Sequence, residues 1–203
     1  MKKTKNYIAL FACLIFVNPV FGQDFEGKLT EAKTAYNNGN LDDARFALQQ
    51  ALNEVNVAIG KEILLVLPKD MGGLNYREKE DNISGANIGF AGLYVSRAFS
   101  DAKNDTASIV IISDSPLLSG INAILNMPAI MTSGDPNQKR IKVDGYKALL
   151  QKNDPGDGKI SWEVQVPFNN SLLTFHFEGG KTESEITALA NTIPVSKIAN
   201  LAK

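Results

Sequence analysis

Apolar residues follow a helical period through the first part of the chain and a strand period after it. From Phe25 to Val66 they recur three and four apart: Phe25, Leu29, Ala32, Ala35 and Tyr36, then Ala44, Leu48, Ala51, Leu52, Val55, Ile59, Ile63 and Val66. This spacing predicts two amphipathic helices, each with one face to bury. Asn37-Asn38-Gly39-Asn40 separates them, since glycine and asparagine accept the left-handed backbone that ends a helix. Asp42 and Asp43 then fall in the first turn of the second helix, where the helix dipole favours acids. Gly60 weakens the pattern and predicts a bend or a change to strand, and Pro68 ends the run.

Residues 67–85, with Gly72-Gly73 and the charged Arg77-Glu78-Lys79-Glu80-Asp81, read as a long polar connection. Beyond them the period drops to two. Ile88 to Val95 and Ile109 to Ile112 predict a strand pair turned at Ser100–Asp105, and Ile141–Val143 and Tyr146–Leu150 a pair turned at Asp144-Gly145. Ile160, Trp162, Val164 and Val166 alternate with Ser161, Glu163 and Gln165, and Leu173, Phe175 and Phe177 with Leu172, Thr174 and His176. Asp114-Ser115-Pro116 carries the chemistry of a helix start, ahead of a face of Leu117, Leu118, Ile121, Ile124 and Leu125. Thr182 with Glu185 spells a capping box for a helix burying Ile186, Leu189, Ala190 and Ile193; Pro194 closes it, and residues 195–201 form a last short helix. The fold class is therefore α+β: a helical hairpin over residues 23–66, then an antiparallel sheet of about six strands with helices packed on one face over residues 67–203.

The first twenty-two residues belong to neither pattern. Lys2, Lys3 and Lys5 precede an uncharged apolar run from Ile8 to Val17, and Asn18-Pro19 and Val20-Phe21-Gly22 lead to Gln23. This is the tripartite form of a secretory signal, with cleavage expected between Gly22 and Gln23. The run is shorter than the ~20 residues that span a bilayer. It predicts a periplasmic or secreted protein. Leu10-Phe11-Ala12-Cys13 approaches a lipobox, but Phe11 fits it poorly and the apolar run continues past Cys13, which argues against lipidation. Cys13 is the only cysteine, so the exported chain has no disulfide and no thiolate ligand. Losing three lysines takes the basic residues from 21 to 18 against 22 acidic ones, a formal charge of −4. That balance argues against nucleic acid and anionic lipid as partners.

The hairpin resembles a tetratricopeptide repeat at Tyr36, Gly39-Asn40-Leu41, Ala44, Leu48 and Ala51-Leu52. It has no tryptophan opening its first helix and no second repeat behind it, and a lone repeat builds no concave groove; the expectation is a hairpin packed on the main domain. Val143-Asp144-Gly145-Tyr146-Lys147-Ala148, Trp162-Glu163-Val164 and Thr182 to Ala190 resemble the C-terminal half of the PsbP-like fold and small bacterial envelope α+β domains. That resemblance implies a non-enzymatic domain used in binding or assembly.

Candidate chemistry is sparse. His176 is the only histidine, with Ser161 and Ser171 near it in sequence, and no Gly-x-Ser-x-Gly elbow accompanies it. Ser100-Asp101-Ala102-Lys103 has the Ser-x-x-Lys spelling of penicillin-binding enzymes but falls in a predicted turn. Asn153 to Val164 has a calcium-loop-like Asp157-Gly158, with Pro155 and Val164 where oxygen ligands are required. Asp114-Ser115-Pro116 could offer backbone amides to an anion, which Asp114 would repel. Met127, Ile130 and Met131 form an apolar segment suited to contact a partner if exposed. These features predict no cofactor, no metal and no catalytic residue. The expected function is an exported, non-catalytic binding or assembly module of the bacterial cell envelope, whose partner is another envelope protein. The alternative is a carrier of a lipid or other apolar ligand, with a cavity lined by Phe90, Tyr94, Leu118 and Trp162. A third reading is a hydrolase that works with Asp, Glu and Ser alone.

Overall fold

The computed structural model describes residues 23–84, 92–128, 136–156 and 160–203. Helix α1 (Gln23–Asn37) and helix α2 (Leu41–Val66) form the expected antiparallel hairpin. Its seam is small: Ala32 of α1 and Ala44, Ala47 and Ala51 of α2 are buried, which lets the two helices approach closely. Gly60 neither bends α2 nor starts a strand. It is buried where the helix crosses a strand, and a Cβ there would come within 2.5 Å of Ile83 Cγ2. Pro68 follows the helix, as expected.

Nine strands are described, more than the six the sequence suggests, in one antiparallel sheet ordered β1-β2-β4-β5-β9-β8-β7-β6, with β3 also paired to β4. The strands are β1 (Asp70–Met71), β2 (Leu74–Tyr76), β3 (Asn82–Ser84), β4 (Tyr94–Ser100), β5 (Thr106–Ser113), β6 (Gln138–Val143), β7 (Tyr146–Asn153), β8 (Ser161–Phe168) and β9 (Ser171–Glu178). The extra strands come from the segment expected to be a polar connection. Met71 and Leu74 are buried there, and Gly72 and Gly73 take the positive φ that a tight turn between β1 and β2 requires. Residues 85–91, where the first long strand was expected to begin, lie outside the described part of the chain.

Period-two alternation sets the register. Val95 pairs with Ile111, Ile111 with Leu173 and Leu173 with Val166; Ile109, Phe175 and Val164 make the next row. These rows share the buried face of the sheet with Trp162, Phe177 and Leu150. Helix α2 brings Ile63 to that core, α4 (Glu183–Ala190) brings Ile186 and Ala190, and α5 (Val195–Leu201) brings Val195, Ile198 and Ala199. Helix α3 (Leu118–Asn126) differs from expectation by lying on the opposite face, where Ile121 and Leu125 pack on Leu149. Leu149 points that way because its strand neighbours Ala148 and Leu150 point into the main core.

Side-chain caps fix the elements around the sheet. Thr182 Oγ1 accepts from Glu185 N and Glu185 Oε2 accepts from Thr182 N at 2.8 Å, the expected capping box. Asp144 and Gly145 both have positive φ in the tight turn between β6 and β7. The Asp144 carboxylate accepts from Ser196 N at 2.7 Å and Ser196 Oγ at 2.6 Å, so this turn also caps α5. Asp114 does not cap α3. It takes a left-handed φ of 52° at the end of β5, donates its backbone N–H to Asn170 O and accepts from Asn170 Nδ2.

Hairpin and sheet meet at a buried guanidinium. Arg97 is on the inward side of β4 between Val95 and Phe99 and is 4% exposed. Its Nε and Nη2 donate to the two Asp81 oxygens at 2.9 and 2.6 Å, and Nη1 donates to the Leu67 and Pro68 carbonyls just past α2 at 3.1 and 3.3 Å. The Tyr76 ring covers the guanidinium at 4.7 Å. One side chain thereby ties the end of α2 to β2, β4 and the segment entering β3.

Three outcomes follow for stability. Asp81→Ala leaves Arg97 charged, buried and uncompensated, and urea unfolding should show a loss of about 3–5 kcal/mol. Gly60→Ala should cost about 1–2 kcal/mol through overpacking against Ile83, and the same substitution in an Ile83→Ala background should be neutral or stabilising, because alanine is the better helix former. The third concerns pH. The Ser196 hydroxyl and backbone N–H hold the Asp144 carboxyl below its ordinary value. A lowered folded value gives stability that is present above the unfolded carboxylate range and lost as pH falls through the folded value. Asp144→Asn keeps a residue that tolerates positive φ while removing the charge. Its thermal midpoint should lie below wild type at pH 7, and the gap should close as pH is lowered towards 3.

Candidate binding surfaces

The apolar face of α2 is divided along its length. Ile63, and Leu67 just beyond the helix, reach the main core, and Asn56 Nδ2 donates to Gly92 O at 3.1 Å. Towards the hairpin tip the same face loses its cover. Leu48 is 53% exposed and Leu52 59%, and Leu41 and Val55 on the same stripe are also open. The sequence groups Leu48, Leu52 and Val55 with Ala44, Ala51 and Ile63 as one buried face. Only the alanines and the lower end of that face are covered, because α1 takes the alanine side and the sheet reaches only the second half of α2.

Helical geometry places Leu29 and Tyr36 of α1, seven residues apart, beside this stripe. The result is a shallow apolar groove, with Leu29 and Tyr36 on one side and Leu41, Leu48, Leu52 and Val55 on the other, over an alanine seam that the two helices close between them. The opposite side of the hairpin carries Lys28, Gln50, Asn53 and Glu54, with Phe46, also exposed, one turn from Gln50.

A second concavity, of about 680 Å³, lies at the base of the hairpin between the last three turns of α2, Tyr76 of β2 and the segment that follows it. Ala58, Leu64, Leu65 and Tyr76 give its apolar walls, and Lys61, Lys69 and Arg97 face Glu62, Glu78 and Asp81 around them. Lys69 Nζ lies 5.8 Å from the Tyr76 ring centre. The Arg97 donors are directed at Asp81 and the two backbone carbonyls, so this cation supports the wall rather than reaching into the cleft. Sequence reading passes over Arg97, although a charged residue at an inward position between Val95 and Phe99 is the signal that reveals it.

The carrier cavity expected from the sequence does not assemble. Trp162 lies on the main-core face and donates Nε1–H to Lys181 O at 3.1 Å, whereas Tyr94 and Leu118 belong to the opposite side of the sheet. Phe90 lies outside the described residues.

His176 is half-buried on the face opposite the main core. Of the serines close to it in sequence, Ser171 pairs with Ser113 and Phe168 at the other end of the strand, and Ser161 pairs with Glu178, one diagonal step away on the same face. Its cross-strand neighbours are Ser108 on β5 and Glu163 on β8, which sequence separation conceals. Among the described residues no hydrogen bond links the three, and Glu163 Oε1 accepts from Gln165 Nε2 at 2.5 Å instead. Ser171 Oγ and Gln165 Oε1 are buried without a protein partner. Lys103 lies in the β4–β5 turn, whose backbone N–H groups at Lys103 and Asp105 are held by the Asp101 carboxylate. Asp154 pairs with Lys152 and accepts from Gly156 N. Residues 157–159 lie outside the described part of the chain. Among the described residues no group of three or more His, Cys, Asp or Glu comes together as a metal site, and no helix is long and apolar enough to cross a membrane.

Met127 follows α3 and is 43% exposed, with its carbonyl accepting from Arg140 Nη1 at 2.6 Å. Ile130 and Met131, the rest of that candidate contact segment, lie outside the described residues, as does Gly22; Gln23 opens α1. Comparison of the chain with protein-family models, with curated proteins and with solved structures returns no match.

Proposed function

We propose that this chain is an exported, non-catalytic binding or assembly module of the cell envelope, and that a protein partner docks in the apolar groove of its hairpin. The observation that carries the reading is the open Leu41–Val55 stripe. Apolar side chains at seven-, four- and three-residue spacing on a helix anchored at one end are suited to recognition of another helix. Met127, exposed beyond α3, supplies a smaller apolar contact on the other side of the sheet.

The cleft at the hairpin base favours a second reading, that of a carrier for a small apolar ligand. Its volume lies within the range of small-molecule sites, and its walls include Leu65 and Tyr76.

The first reading predicts that tagged protein recovers a partner from envelope extract, and that Leu48→Glu with Leu52→Glu abolishes the recovery. Both side chains are exposed, so circular dichroism and the thermal midpoint should stay near wild type. Unchanged recovery by the folded double variant would refute the groove as the docking site.

A further inference from the structure

We infer that the occupant of the hairpin groove is a second copy of this chain, packed antiparallel about a two-fold axis so that two hairpins make a four-helix bundle. This rests on reading the groove as a docking site and names the partner.

Area is the first argument. Leu29, Tyr36, Leu41, Leu48, Leu52 and Val55 leave open on the order of 600 Å² of side-chain surface, the upper end of what a monomer exposes in one patch. With the groove rims added, two such faces reach roughly the size of a standard protein–protein interface.

Self-complementarity is the second. The face is a row of large exposed side chains on α2 beside Leu29 and Tyr36 of α1, over an alanine seam that the two helices close between them. A two-fold axis between Leu48 and Leu52 sets Leu48 against the partner's Leu52, and Leu52 against the partner's Leu48. An isologous pairing needs one patch that fits itself in this way. Because α2 runs antiparallel to its mate, the two sheets lie at opposite ends of the bundle. The groove closes on itself and leaves no open end to propagate.

Charge argues against a bilayer in the same groove. Residues 23–66 carry seven acidic and four basic side chains, a balance that anionic lipid repels. The same balance gives the dimer a signature. Apolar association between like-charged hairpins should tighten as salt rises, where association by ion pairs would loosen.

Sedimentation equilibrium of the purified protein tests this directly. Wild type should show twice the mass of the 22.0 kDa chain, less any cleaved leader, and should self-associate more tightly at 0.5 M than at 0.05 M NaCl. Leu48→Glu with Leu52→Glu should weaken self-association at least ~100-fold with the fold intact, because the dimer would bury unpaired carboxylates. As a second reading of the geometry, Leu48→Cys with Leu52→Cys should oxidise to a covalent dimer, whereas Gln50→Cys with Asn53→Cys on the opposite side should not. A wild type that stays monomeric at 100 µM overturns the inference. If its envelope partner is still lost on Leu48/Leu52 substitution, the groove binds a different protein and the proposed function stands. If recovery is also unchanged, both fall. A dimer that survives the glutamate pair, or a monomer that binds anionic vesicles through the groove, likewise overturns it.

Discussion

The buried Arg97 guanidinium is the constraint around which the hairpin and the sheet are joined. A cation removed from water needs a counter-charge and hydrogen-bond acceptors, and Arg97 draws both from different parts of the chain: the Asp81 carboxylate and the carbonyls of Leu67 and Pro68. Those carbonyls follow the last turn of α2. The direction in which the helix leaves the sheet is thus set by a bidentate ion pair and two directional hydrogen bonds, with apolar packing at Ile63 and Leu67 beneath them.

The join explains the character of α2. It is a single 26-residue helix with two environments. Its second half belongs to the sheet core, and Gly60 allows the close crossing of β3 that this requires. Its first half has only α1 for cover, and the seam uses alanines, so the larger leucines on the adjoining side are left to solvent. Anchorage at one end keeps an apolar stripe extended that would otherwise collapse onto its own domain. The binding reading depends on that arrangement.

Much of the fold was legible because local chemistry and tertiary environment agree. The alternation around Trp162, Val164 and Val166 sorts residues onto the faces they occupy, Asp144-Gly145 makes its tight turn, and Thr182 with Glu185 caps its helix. The failures occur where a distant segment decides. The Met71–Leu74 turn looked like a connection because two short strands flanked by charges have too few residues for a period to show. Asp114 had the composition of a cap, but Asn170 from another turn claims it. The periodicity of α2 identifies an apolar face and carries no information about how far the sheet extends beneath it, so Leu48 and Leu52 read as core. Ser108, His176 and Glu163 share a row only through strand pairing across large sequence separations.

Amide hydrogen exchange on the native protein tests most directly whether α2 is one anchored helix. Backbone amides of residues 56–66 should exchange in the slowest class, together with β4, β5 and β9, and protection should decline gradually towards the hairpin tip. Rapid exchange along the whole of α2 while those strands remain protected would show a hairpin hinged loosely to the sheet, and would contradict an apolar face held out by its anchored base.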